Sequence, residues 1–461
     1  MRIIESDIKY AQYSLIDSIG RVFEYNNKIY RGINTEYIEH IEQLFNCGLI
    51  AELVEKNLFP KTIKTDIKLE GYALIIEHEK LFFSRSYEWT FDMLRDAAII
   101  TLQANDVALK YGFQIKDAHP YNVLFKENQP MFIDLGSFTK KTEFDFLPVT
   151  EFLECFCLLI ALYANGNSYL AHKFQLDIHY PRSRILIGKL PFRFSNYYAQ
   201  FQVLTIRLFN LKINIPQNEY LIIPFKILVK VIRKLNNKNL EGRFFLSNNT
   251  VLKLKNLQFK NKSIWANYQD KNFENSTLKT TSRFNFIIDS LRKINKIESA
   301  LDVAANQGLF PVLLNKQLGL NKIIHLDYDI NACNTAYLYY KMHHLPIDII
   351  CTNFLEITLN NELKKRLKSD IVFGLALSHH LLLNQYIPIN LIFSVFSDLS
   401  NKYVAIEFMP LGLWNGGIVP QLPKWYKLEW FRVNFQKYFN VILEQKIEEN
   451  RIIFIGEKLS K

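Results

Sequence analysis

Asp302, Ala304, Asn306 and Gly308 lie within the stretch ALDVAANQGLF (300–310), and Asp327 and Asp329 follow in KIIHLDYD. An apolar run ends on an acid, a turn of small residues closes on Gly308, and a helix-like segment, FPVLLNKQLGL, begins at once. A second apolar run then ends on acids. Each feature suits a nucleoside-type cofactor. Small residues let the backbone approach a ligand, a helix N-terminus offers free N–H groups, and an acid accepts from ribose hydroxyls. His379 and His380 end a later apolar run, SDIVFGLALSHH, at the sheet edge where α/β proteins bind ligands. One of them could act as a general base or orient an acceptor. A half-buried, hydrogen-bonded pair at a helix start is the other reading.

The dinucleotide fingerprint GxGxxG is absent. D-V-A-A-N-Q-G resembles motif I of the class I S-adenosylmethionine (SAM) methyltransferases, acid-x-Gly-x-x-x-Gly, with Ala304 at the first glycine. Taken alone, the turn also fits an ordinary βαβ unit. The resemblance implies SAM as cofactor, bound by Asp302, Ala304, Asn306 and Gly308, with Asp327 on the ribose. Asn353, ending the strand PIDIICTN, would meet the adenine amine.

The elements that must position these residues follow in order. PIDIICTN, SDIVFGLALSHH and KYVAIEFMP are near-continuous apolar runs, as in a parallel sheet covered on both faces. FNVILEQKI and RIIFIGEK, joined at Glu448-Glu449-Asn450, predict a terminal antiparallel hairpin. The expected C-terminal fold is an α/β, Rossmann-like class I methyltransferase sheet. Trp265 and Tyr268 are candidates to flank its cleft, with plain packing as the alternative.

A second constellation lies at 115–138, IKDAHPYNVLFKENQPMFIDLGSF. Asp117 and Asn122 precede a hairpin whose second strand ends in Asp134-Leu135-Gly136. The set resembles the catalytic loop and metal-binding turn of protein-kinase-like phosphotransferases. Asp117 would accept a hydroxyl proton, and Asn122 and Asp134 would hold Mg²⁺ of Mg-ATP through hard oxygens. Upstream, SIGRVFEYNNKIYRGI (18–33) predicts a β-hairpin with Gly20 in place of a glycine-rich loop. Arg31, or Lys28 in a shifted register, takes the phosphate-pairing position, with Glu39 or Glu42 as its ion-pair partner. The expected N-terminal fold is an α+β, protein-kinase-like domain. Active phosphotransferase, nucleotide binder and purely structural pseudokinase all stay open.

Both halves together, with the S-Y-E-W stretch at 86–89, resemble two-part SAM-dependent methyltransferase-like proteins related to the NoeA nodulation host-specificity family. Methyl transfer to an undefined acceptor is the activity this implies. The expected organisation is a kinase-like domain at 1–235, a basic polar linker at 236–262 and a methyltransferase-like domain at 263–461.

At 461 residues the chain exceeds what one core supports. Its 49% hydrophobic and 14% aromatic content is globular. Net charge is +11, concentrated at 225–243 and 252–263. A solvated basic face is the plain reading, with nucleic acid or an anionic membrane surface as alternatives. Five scattered cysteines without a CxxC pair suggest reduced thiols and a cytoplasmic setting. MRIIESDIKY carries early acids, unlike a signal peptide. No apolar run is long enough for a transmembrane span.

Overall fold

The computed structural model describes residues 2–15, 17–176, 248–260, 263, 265, 280–294, 296–414 and 416–460. The basic stretch 225–243, most of the expected linker and Tyr268 lie outside the described residues. The chain divides into two compact units. The first comprises 1–87, 91–126 and 130–261; the second comprises 88–90, 127–129 and 262–461.

In the first unit, β1 (Arg2–Ile3) pairs with β6 (Lys68–Leu69). A five-stranded antiparallel sheet runs β2-β3-β4-β7-β5, from Lys9–Tyr10, Val22–Tyr25, Lys28–Ile33, Leu74–His78 and Thr62–Thr65. Asn26 and Asn27, both at positive φ, make the tight β3–β4 turn. Helices Ile38–Asn46 and Leu49–Glu55 connect β4 to β5. The long helix Phe91–Lys110 leads to β8 (Phe113–Ile115), the hairpin β9 (Val123–Lys126) and β10 (Gln129–Phe132), and β11 (Phe138–Lys140). Helical residues 149–164 follow, and their Cys155 and Cys157 are buried core.

The second unit holds a seven-stranded sheet in the order β14-β13-β12-β15-β16-β18-β17. Its strands are β12 (Ala300–Val303), β13 (Ile323–Asp327), β14 (Ile347–Cys351), β15 (Ser369–Gly374), β16 (Ser400–Phe408), β17 (Phe439–Glu448) and β18 (Arg451–Lys458). The first five are parallel, and β18 runs antiparallel between β16 and β17. Every residue of β12, β13 and β15 is buried, which explains their largely apolar sequences. The final strand is therefore inserted inside the sheet, and its hairpin partner forms the edge. Glu88, from the S-Y-E-W stretch, is buried in this unit and accepts from Arg366 at 2.5 and 3.0 Å. Among the described residues no helix is long and apolar enough to cross a membrane.

Candidate functional site

Asp327, at the end of β13, organises the turn after β12. Asn306 N donates to its Oδ2 at 2.7 Å, and Asp329 N donates to its Oδ1 at 2.8 Å. Each carboxylate oxygen therefore takes a backbone N–H, and the Tyr328 N–H adds a further favourable contact to the carboxylate. Burial raises the Asp327 pKa to about 6, against the lowering effect of these bonds. Asp329 instead caps the next helix, Ile330–Met342, through Asn331 N and Ala332 N.

The turn is left-handed at three positions: Ala304 (φ 68°), Asn306 (φ 54°) and Gly308 (φ 84°). Ala304 thus adopts, with a Cβ, the conformation a glycine takes without strain. Gly308 has no such latitude. A Cβ there would lie 1.8 Å from Tyr340 Oη and 3.0 Å from His325 Nδ1. Tyr340 Oη donates to Gly308 O at 3.1 Å and lies 2.9 Å from His325 Nδ1. Gly308 also opens helix Leu309–Leu318.

Other groups border this turn. Tyr328, next to Asp327, is 60% exposed. Trp265 O accepts from Asn306 Nδ2 at 3.3 Å, and its ring meets His380 edge-on at 5.6 Å. Asn306 Oδ1 and His379 Nδ1 are buried with no hydrogen-bond partner among the described residues. Asp302 is buried, and its pKa lies well above the usual carboxylate range. Burial is the main cause, Arg283 opposes it, and the Asp327 and Glu407 charges add to it.

A buried ionic knot completes the sheet edge. Glu407, fully buried at the end of β16, accepts from Arg283 Nε and Nη2 at 2.6 and 2.8 Å. It also accepts from Arg451 Nη1 at 2.9 Å and Ala376 N at 2.7 Å. Ser378 Oγ donates to the Glu407 carbonyl at 2.5 Å. The turn leading into His379 and His380 is thereby tied down. Burial is the first cause that pushes His379 down to about 3, and the nearby His380, Arg451 and Arg283 charges add to it. His380 is also lowered by burial. Both imidazoles are held toward the neutral form. They lie in a helical turn past β15, with His380 starting a π-helical segment to Asn384.

Asp302, Ala304, Asn306, Gly308, Asp327, His379 and His380 thus share one sheet edge. Asn353 stands apart in its bonding: it is exposed, and its Oδ1 caps helix Phe354–Leu359 through Glu356 N at 2.9 Å. Sequence reading missed the roles of Arg283, Arg451 and Tyr328. The first two are separated by 168 positions and meet only through Glu407. Tyr328 had a signal, since it directly follows the acid.

In the first unit Asp117, Asn122 and Asp134 are also brought together. Asp117 N donates to Ser137 Oγ at 3.1 Å, Asn122 Nδ2 donates to Asp117 O at 3.4 Å, and Ile133 N donates to Asn122 O at 2.8 Å. Arg31 Nη1 pairs with Asp17 at 2.5 Å, and its Nη2 lies 3.8 Å from Asp134. A guanidinium therefore stands beside the carboxylate expected to bind metal. The expected pairing of Arg31 with Glu39 or Glu42 does not form: Glu42 pairs with Lys64, and Lys28 with Glu77. Asp17, ahead of the hairpin, reaches Arg31 first. Gly20 serves close packing, since a Cβ there would lie 1.7 Å from Gly32 O. Burial raises the pKa of both Asp117 and Asp134. No cluster of three or more His, Cys, Asp or Glu suited to a metal occurs among the described residues.

No family model matches the chain. A curated relative, nodulation protein NoeA of Rhizobium meliloti (strain 1021), is 29% identical over 127 residues. That match spans 26% of each chain, so this chain covers about a quarter of the relative's length. Similar solved structures include the PH0226 protein from Pyrococcus horikoshii OT3, at 15% identity and TM-score 0.34. It covers 42% of this chain and 97% of that one. A SAM-dependent methyltransferase from Clostridium acetobutylicum ATCC 824 has 14% identity, TM-score 0.32 and the same coverages. The 16S rRNA methylase ArmA has 17% identity, TM-score 0.30, and covers 50% and 97%. At these identities and TM-scores the likenesses carry no argument about what this chain does.

Proposed function

We propose that the second unit binds SAM and transfers its methyl group to an acceptor not yet identified. The observation that carries this reading is the left-handed turn 304–308, pulled onto Asp327 at the edge of a 3-2-1-4-5-7-6 sheet. The residues present suit the cofactor. Asn306 Oδ1 is a buried acceptor without a partner among the described residues, and Tyr328 exposes an aromatic face beside Asp327.

Bound SAM would supply an already activated sulfonium methyl, so the protein's task is positioning and proton management. Asp327 would accept from the ribose hydroxyls. Tyr328 would cover a face of the adenine. Asn353 keeps its Nδ2 for a ring nitrogen, because its oxygen is used in the cap. Asp302, once ionised, would meet the amino-acid end of the cofactor. His380, half-buried and held neutral, takes the proton of an O–H or N–H acceptor, and His379 braces it.

Calorimetric titration with SAM and S-adenosylhomocysteine tests the reading. Binding by the wild type and its loss in Asp327→Ala are expected. Absence of heat and of any thermal shift at millimolar ligand sinks it.

The first unit supports a second reading, favoured by the grouping of Asp117, Asn122 and Asp134 on an antiparallel sheet of order 1-2-3-5-4. The unit would then be a kinase-like frame in which Arg31 stands 3.8 Å from Asp134, and nucleotide binding without phosphoryl transfer fits it best. In that reading Asn122 and Asp134 would be the Mg²⁺ ligands. A thermal shift with Mg-ATP that disappears in Asp134→Asn supports it, and no shift in the wild type refutes it.

A further inference from the structure

The loop between β16 and helix Leu428–Phe435 presents an unusual surface at the same sheet edge. No carboxylate occurs between Glu407 and Glu429, while Lys424 and Lys427 are both exposed. Ile418 is 96% exposed, and Leu413, Val419 and Trp425 are exposed as well. The loop's base is firmly held. Tyr426 Oη donates to Met409 O at 3.0 Å, and Asn450 Oδ1 accepts from Leu411 N at 2.6 Å. Trp414 Nε1 donates to Gly417 O at 2.7 Å, bracing the turn before Ile418. Trp425 packs on Trp430 with ring centroids 4.6 Å apart. Apolar tips on a braced loop are costly to leave in water and mark an interaction surface.

We propose that loop 410–427 is an interfacial anchor that docks the chain on an anionic lipid surface. Charge and residue type select this occupant. Aliphatic tips enter the acyl boundary, tryptophan favours the headgroup level, and lysines pair with anionic lipids. The adjoining carboxylates, Glu448 and Glu449, belong to the β17–β18 turn, whose Asn450 holds the loop's base through Leu411 N. A protein groove would also accept the apolar residues, but a loop with lysines and no acid fits a negatively charged sheet of headgroups better. The inference stands apart from methyl transfer and from the cofactor.

The test is co-sedimentation of the full chain with phosphatidylcholine vesicles, with and without phosphatidylglycerol. Tryptophan emission is followed in parallel. Expected results are binding only to the anionic vesicles, a blue shift on binding, and weakening by salt. Ile418→Glu, at a site too exposed to affect folding, should lower the partition coefficient at least tenfold, as should Lys424→Glu with Lys427→Glu. An unchanged melting temperature shows that each variant is folded. Equal binding to neutral vesicles overturns the inference, as does no binding at all. Binding that survives Ile418→Glu but is lost in Lys364→Glu with Lys368→Glu moves the lipid contact to another place. Those lysines line a cavity of about 580 Å³ that includes Lys365 and Lys458. A dimer abolished by Ile418→Glu, without lipid binding, assigns the loop to a second copy of the chain.

Discussion

Gly308→Ala offers a sharp check on the turn. The new Cβ would lie 1.8 Å from Tyr340 Oη and 2.7 Å from Tyr340 Cζ, at φ 84°. An alanine in the left-handed region costs about 1–2 kcal/mol. Overpacking against a buried tyrosine adds about 1–3 kcal/mol. Reduced freedom of the unfolded chain returns about 0.5–1 kcal/mol. The net expectation is a loss of roughly 2–4 kcal/mol. Tyr340→Phe alone removes two hydrogen bonds, leaving His325 Nδ1 and Gly308 O without that hydroxyl, for about 1–3 kcal/mol. In the double variant the closest contact is gone, so the two losses should not add. A coupling of at least about 1 kcal/mol is expected. Urea unfolding followed by tryptophan fluorescence measures it, because Trp89, Trp265, Trp414, Trp425 and Trp430 all belong to the second unit. Additivity within about 0.5 kcal/mol would show that Gly308 is not confined by Tyr340, and the account of the turn would fail.

Three further outcomes are expected. Glu407→Gln leaves Arg283 and Arg451 without a buried counter-charge and should destabilise by about 3–5 kcal/mol; an unfolding midpoint equal to wild type contradicts this. Asp327, raised to about 6 by burial, holds its proton more tightly folded than unfolded, so its contribution to stability falls as pH rises from about 4 to 6. The stability of Asp327→Asn relative to wild type should therefore climb by about 2 kcal/mol across that window, and a flat difference refutes the assignment. Burial raises the Asp302 pKa, so a cationic ligand beside it should favour its ionisation, and SAM binding should release a proton. Titration heats in buffers of different ionisation enthalpy report that release, and Asp302→Asn should abolish it.

The sheet was legible because its physics is local. Strands buried on both faces are largely apolar, so β12 to β16 could be read from runs such as ALDV and SDIVFG. The terminal hairpin announced itself through two long strands around Glu449-Asn450. The small residues at 304–308 were readable for a similar reason, since a tight turn restricts side-chain size position by position. Hydrogen-bond choices were not readable. Asn353 could offer its oxygen to a ligand or to its own helix, and only the helix geometry decided for the cap.

Long-range charge pairing divides what sequence alone determined from what only the folded chain decided. Composition and periodicity were enough to place Asp302, Asp327 and the His379-His380 pair near one end of a parallel sheet. They held nothing to say that Glu407 would draw Arg283 and Arg451 into one buried knot, or that Asp17 would take Arg31 from Glu39 and Glu42. An ion pair depends on distance and desolvation, and both are set by the packing of elements far apart in the chain.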